Sequence, residues 1–151
     1  MRSLSGLNMG NGKPRPFLDT NVLFSGLHGS GPPSLILNWH ASGAITAVIS
    51  RLVLAELVRT LRNKQPHLLP SLEAFLRNAP PEMCSDPTIT EVEQAERCIS
   101  PNDAPILAAA LRSGADCIVS GNTRHFTPDV ARRTGIEIFT PAQYVAKLNL
   151  D

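Results

Sequence analysis

The sequence predicts an α/β fold: one domain of three layers, α/β/α, around a central parallel sheet of four to five strands. Three observations lead there. Candidate strands and helices alternate along residues 16–148. The strands read as continuous apolar runs, as strands covered on both faces do. The chain has 151 residues, 42% of them hydrophobic, enough for one sizeable core and too little for two comfortable ones.

The elements follow in order. Residues 1–15, "MRSLSGLNMGNGKPR", are rich in Gly, Ser and Asn without an apolar period and read as a flexible leader outside the fold. "PFLDTNV" reads as a buried strand ending near Asp19, with a turn or short helix over Val22–Leu27 stopped by "HGSGPP". A second short helix spans Ser34–Ala41, where Leu35, Ile36 and Trp39 either cap the core, the reading preferred, or form an exposed apolar patch. "AITAVIS", Ala44–Ser50, is a strand, and Ser50 caps the helix "RLVLAELVRTLRNK". "HLLPSLEAFLRNA" is helical after Pro70, and "PEMCS" has the character of a short strand. Thr90 and Glu93 have the spacing of a capping box opening "EVEQAERCI". "DAPILAAALRSG" is a buried helix closed by Gly114, "DCIVSG" and "IEIF" are strands, and Thr140-Pro141-Ala142-Gln143 caps a last helix. No repeat is visible.

Composition narrows the function classes. Lys and Arg number 14 against 13 Asp and Glu, so any nucleic-acid contact must be local. Cys84, Cys98 and Cys117 are odd in number and widely spaced, which predicts free thiols and a cytoplasmic setting. No apolar run approaches the roughly 20 residues of a membrane span, and the first residues lack a signal-peptide centre.

In an open parallel sheet, ligands bind beyond the carboxyl ends of the strands. Asp19 lies at such an end, Asn122 follows another, Asp103 opens a buried helix, and Glu56 sits on an otherwise apolar helix. Each also has an ordinary reading: Asp19 and Asp103 as helix caps, Glu56 as a solvated partner of Arg59 or Arg62, Asn122 as a turn residue. Taken together they predict three carboxylates and an amide converging on one edge. Carboxylates crowded there repel unless a cation neutralises them, and an all-oxygen set suits Mg²⁺ or Mn²⁺, which can activate a water and offset charge developing on a phosphodiester. His28, His40, His67 and His125 lack zinc-protease spacing, and neither a nucleophile elbow nor a phosphate-binding glycine loop is present.

The segments "FLDTNVLFSGL", "SRLVLAELVRTL", "NDAPILAAAL" and "ADCIVSGNTRHF", in this order over about Pro16 to Lys147, resemble the PIN-domain family of metal-dependent ribonucleases. The resemblance implies that Asp19, Glu56 and Asp103 hold Mg²⁺ or Mn²⁺. Asn122 stands where many relatives carry a fourth acid, and His125 where another Asp is common. Thr20 and Asn21 match the polar pair beside the first acid. Arg124, one step from the proposed metal edge, is the foremost of the phosphate-contact candidates Arg59, Arg62, Lys64, Arg124, Arg132 and Arg133, and Asp116 at the far end of its strand is structural. The implied function is RNA cleavage leaving a 5′-phosphate, as the toxin of a type II toxin–antitoxin pair with a protein antitoxin as partner and a homodimeric state. Two alternatives stay open: a catalytically degenerate fold that binds RNA or protein, and a haloacid-dehalogenase-type phosphatase, which lacks its second Asp because Asn21 stands there.

Overall fold

A computed structural model describes residues 12–148. Five parallel strands form one sheet: β1 (Pro16–Leu18), β2 (Val48–Ile49), β3 (Glu82–Met83), β4 (Cys117–Val119) and β5 (Glu137–Phe139), in the order β3-β2-β1-β4-β5. The three-layer α/β/α architecture and the parallel sheet are thus as predicted. The chain leaves β1 in one direction through β2 and β3, then returns to lay β4 and β5 on the other side. The strand order therefore reverses between β1 and β4, where Phe17 lies opposite Ile118 and Leu18 opposite Val119.

The helices are α1 (Thr20–His28), α2 (Pro32–Ser42), α3 (Arg51–Lys64), α4 (Leu69–Asn78), α5 (Ile89–Ala95), α6 (Ala104–Ser113), α7 (Pro128–Thr134) and α8 (Pro141–Leu148), with a 3-10 turn at Pro66–Leu68. β1 and β4 are buried throughout, whereas edge strand β3 is exposed, which is why only the central strands read as unbroken apolar runs. The core gathers Phe17, Leu18, Ile36, Leu57, Leu107, Ile118 and Tyr144 among others. Ile36 and Trp39 join it, while Leu35 is 38% exposed.

The local differences from expectation have physical causes. The first helix begins at Thr20, directly after Asp19, because the Asp19 carboxylate accepts from the Thr20 N–H and its carbonyl accepts from Val22 and Leu23. The strand expected over Ala44–Ser50 shrinks to Val48–Ile49: the amides of Ala44 and Ile45 return to the Trp39 carbonyl, and that of Ala47 donates to His40 Nδ1. The capping box forms one half-turn earlier than Thr90 and Glu93, between Thr88 and Glu91. There Glu91 also accepts from Arg112 at 2.9 Å, a bond that ties α5 to α6. That helix stops at Ala95 rather than running to Ile99, since Arg97 and Cys98 turn back to carbonyls three residues earlier and Pro101 follows. α7 was not anticipated, although Thr127 caps it, Pro128 opens it and Gly135, at φ 80°, closes it.

Most of the predicted leader lies outside the described residues. Its end is bonded to the body: the Pro14 carbonyl accepts from Thr46, and Arg15 exchanges backbone and side-chain bonds with Asp116 while its guanidinium reaches Glu82. Asp116 accordingly has the structural role expected of it.

Candidate active site

The reversal of strand order opens a crevice at the carboxyl ends of β1 and β4, and the chain turns directly from each strand into polar residues there. After β1 come Asp19, Thr20 and Asn21; after β4 come Ser120, Gly121 and Asn122. Asp19 is 5% exposed and fully bonded. Its Oδ1 accepts from the Thr20 amide at 2.8 Å, and its Oδ2 accepts from Ser120 Oγ at 2.7 Å and Asn21 Nδ2 at 3.1 Å. Asn21 completes the tie across the crevice by accepting the Gly121 N–H at 2.7 Å. A side chain at Gly121 would meet Asn21 Oδ1 at 3.2 Å, so glycine permits this close approach.

The other candidates join through neighbours. Thr20 Oγ1 donates to Glu56 Oε1 at 3.0 Å, bringing the α3 carboxylate beside the first acid. Asp103 sits at the start of α6 but makes no side-chain cap bond. Its Oδ2 instead accepts from Ser100 Oγ at 2.8 Å and lies 2.6 Å from His125 Nδ1. Asn122 donates its N–H to Ser120 Oγ at 3.0 Å and places its amide nitrogen 3.4 Å from that imidazole. Arg124 is exposed on the same loop. The structure therefore brings Asp19, Thr20, Asn21, Asn122 and His125 into one bonded network, with Glu56 and Asp103 at its two ends. It does not draw three carboxylates into a closed cage, and among the described residues no group of three acidic, His or Cys side chains could hold an ion as it stands.

Electrostatics follow from this placement. Burial pushes the Asp19 carboxyl above its ordinary value; the Ser120 hydroxyl and the Thr20 amide pull it back, and the charge of Asp103 pushes it up again. Among the described residues neither Asp19 nor Glu56 has a basic partner, and Asp103 has only His125. The donors at this edge are oxygens, the chemistry a hard divalent cation takes, although the carboxylates do not converge on one point; such a cation would relieve the repulsion between Asp19 and Asp103. Ser120 and Ser100 escaped the sequence reading. Ser120 carried a signal, because a hydroxyl at the end of an apolar strand faces the same crevice as Asp19; Ser100 carried none, because its partner Asp103 is reached only through the turn after α5.

A family model described as PIN domain matches residues 15–124, which contain the acidic candidates and both central strands. The chain belongs to the PIN domain family. The fold is also found in solved structures. VapBC2 from Rickettsia felis, bound to a DNA fragment from the promoter, is 21% identical with a TM-score of 0.58 over 82% of this chain and 96% of that one. FitAcB from Neisseria gonorrhoeae is 16% identical with a TM-score of 0.58, covering 84% and 98%. PAE2754 from Pyrobaculum aerophilum is 16% identical with a TM-score of 0.60, covering 91% and 97%. At these identities the likeness is one of fold. No curated protein matches the sequence.

Proposed function

We propose that this PIN domain is a Mg²⁺- or Mn²⁺-dependent endoribonuclease. The observation that carries the reading is the buried carboxylate of Asp19, held at the strand-order reversal and linked through Thr20 to Glu56, through Ser120 to Asn122, and from there through His125 to Asp103. In this reading Asp19, Glu56 and Asp103 hold the cation, directly or through waters, and Asn122 adds an amide oxygen without adding charge. A bound cation would supply Lewis-acid stabilisation of the scissile phosphate and a more acidic water. The chain's own residues do the positioning. Ser120, Asn21 and the Thr20 amide fix the Asp19 carboxylate, Thr20 Oγ1 orients Glu56, and Ser100 with His125 orients Asp103. Arg124 is suited to a substrate phosphate.

The resemblance of the motifs to stand-alone PIN domains, together with the fold likeness to VapBC2 and FitAcB, supports a cytoplasmic toxin held by a protein antitoxin and acting as a homodimer. No helix among the described residues is long and apolar enough to cross a membrane. The test is an RNA-cleavage assay in Mn²⁺ and in chelator, with the new ends mapped. Cleavage only with metal and 5′-phosphate ends are expected; cutting undiminished by chelator, or 5′-hydroxyl ends, would overturn the metal-dependent reading.

A further inference from the structure

A groove leaves the acidic edge between the turn that follows α5, the loop after β4 and helix α7. It is open to solvent, with a volume of about 410 Å³, and is lined by Arg97, Arg124, Arg133, His125, Ser100 and Glu96 among others. Three guanidinium groups against one carboxylate stand out in a chain whose charges are 14 basic against 13 acidic. Ser100 marks where the groove meets the acidic edge, since its hydroxyl donates to Asp103, and His125 contacts the same carboxylate. Arg133 is held in place by donating to the Arg97 carbonyl at 2.9 Å and by pairing with Asp129 at 3.7 Å, so part of its charge is already met within α7. Among the described residues, the side chains of Arg97 and Arg124 have no ion-pair partner, so they are free to meet an anion. Arg97 and Arg133 also line the adjoining cavity at the α5–α6 side, whose other charged residues, Glu91 and Arg112, are paired with each other.

We propose that this groove carries the phosphate backbone of single-stranded RNA on one side of the cleaved bond, with Arg97, Arg124 and Arg133 as its phosphate contacts. The proposal rests on the nuclease reading and adds the course of the substrate to it. An open basic groove follows one strand by its charges, and apart from the His125 ring the lining offers no aromatic side chain on which bases would stack, so binding here is governed by phosphate contacts more than by base identity. The placement also sorts the basic residues: Arg59, Arg62 and Lys64 lie on α3, outside this groove.

The experiment measures binding rather than cutting. A fluorescent single-stranded RNA of about 12 nucleotides is titrated with the full chain in chelator over about 50 to 200 mM salt. Each phosphate contact to a single strand contributes about 0.7 to the slope of log K against log salt. Replacing Arg97, Arg124 and Arg133 together by Ala is expected to lower that slope by about 2. The matching Lys triple should retain the slope, because it keeps the charges, and replacing Arg59, Arg62 and Lys64 by Ala should leave it unchanged. Unchanged binding by the groove triple, or an equal loss by the α3 triple, would overturn the proposal. An RNA-binding protein that shows these slope changes yet never cleaves would refute the nuclease reading and leave the groove standing; one that cleaves while the groove triple binds normally would do the reverse.

Discussion

Asp19 sets stability against chemistry. Its burial raises the carboxyl pKa in the fold, so between the ordinary carboxylate value and the folded value the native protein holds a proton that the unfolded chain has released. Stability contributed by this residue is therefore present below that window and is lost as pH rises through it. In chelator, Asp19→Asn should melt progressively higher relative to wild type as pH rises above the ordinary carboxylate value; a difference independent of pH would show that the charge is not the penalty. Asn122→Asp adds a formal charge to the proposed cation edge and is expected to tighten Mn²⁺ binding by calorimetry, whereas unchanged affinity would place residue 122 off the site. Tyr144 offers a contrast away from the site. Its hydroxyl is fully buried without a hydrogen-bond partner among the described residues, and burial pushes its pKa far up. Tyr144→Phe should leave the melting temperature equal or raised by the equivalent of about 1 kcal/mol, and a marked fall would mean that the hydroxyl has a partner such as a buried water. At this scale Asp19, Glu56, Asp103 and Asn122 stand out in the sequence as candidates because each follows a strand, opens a buried helix or interrupts an apolar one. The bonds of Ser120 and Ser100 do not, since they depend on which loops the topology brings together.

Helix α1 must pass close to α2 for the chain to turn back over the sheet, and Gly26 is the point of approach. A Cβ there would lie 2.6 Å from Leu37 Cδ1 and 3.0 Å from the Pro33 carbonyl oxygen. Gly26→Ala should therefore destabilise the protein by about 1 to 3 kcal/mol as overpacked interiors do, read as a lower denaturant midpoint; no change would imply that α2 moves freely. The sequence read helices with strong caps and apolar faces well, as at Ser50 for α3 and Gly114 for α6. It misplaced the start of α5 because "TITEVE" contains two overlapping capping-box patterns, and the bond from Arg112 to Glu91 favours the earlier one. α7 was overlooked because its seven residues carry no apolar period strong enough to stand out, with Val130 alone buried.

The whole molecule makes a site by reversing the order of its strands. Parallel pairing on both sides of β1 sends two chain turns into one crevice, and the apolar runs of β1 and β4 made that sheet predictable from sequence. The placing of β2 and β3 was beyond such runs: each is two residues long, and the edge strand β3 is exposed. The same architecture puts a basic groove beside an acidic edge while the total charge stays near neutral, a separation that composition alone conceals. The central claim is that this acidic edge is the seat of metal-dependent RNA cleavage. Its most direct measurement is the rate at which wild type and Asp19→Asn, purified in parallel and shown to be equally folded, cut single-stranded RNA in Mn²⁺. Cleavage by wild type with a loss of at least about a hundredfold in the variant is expected, since electrostatic stabilisation of the transition state is worth on that order; equal cleavage by the two proteins would contradict it.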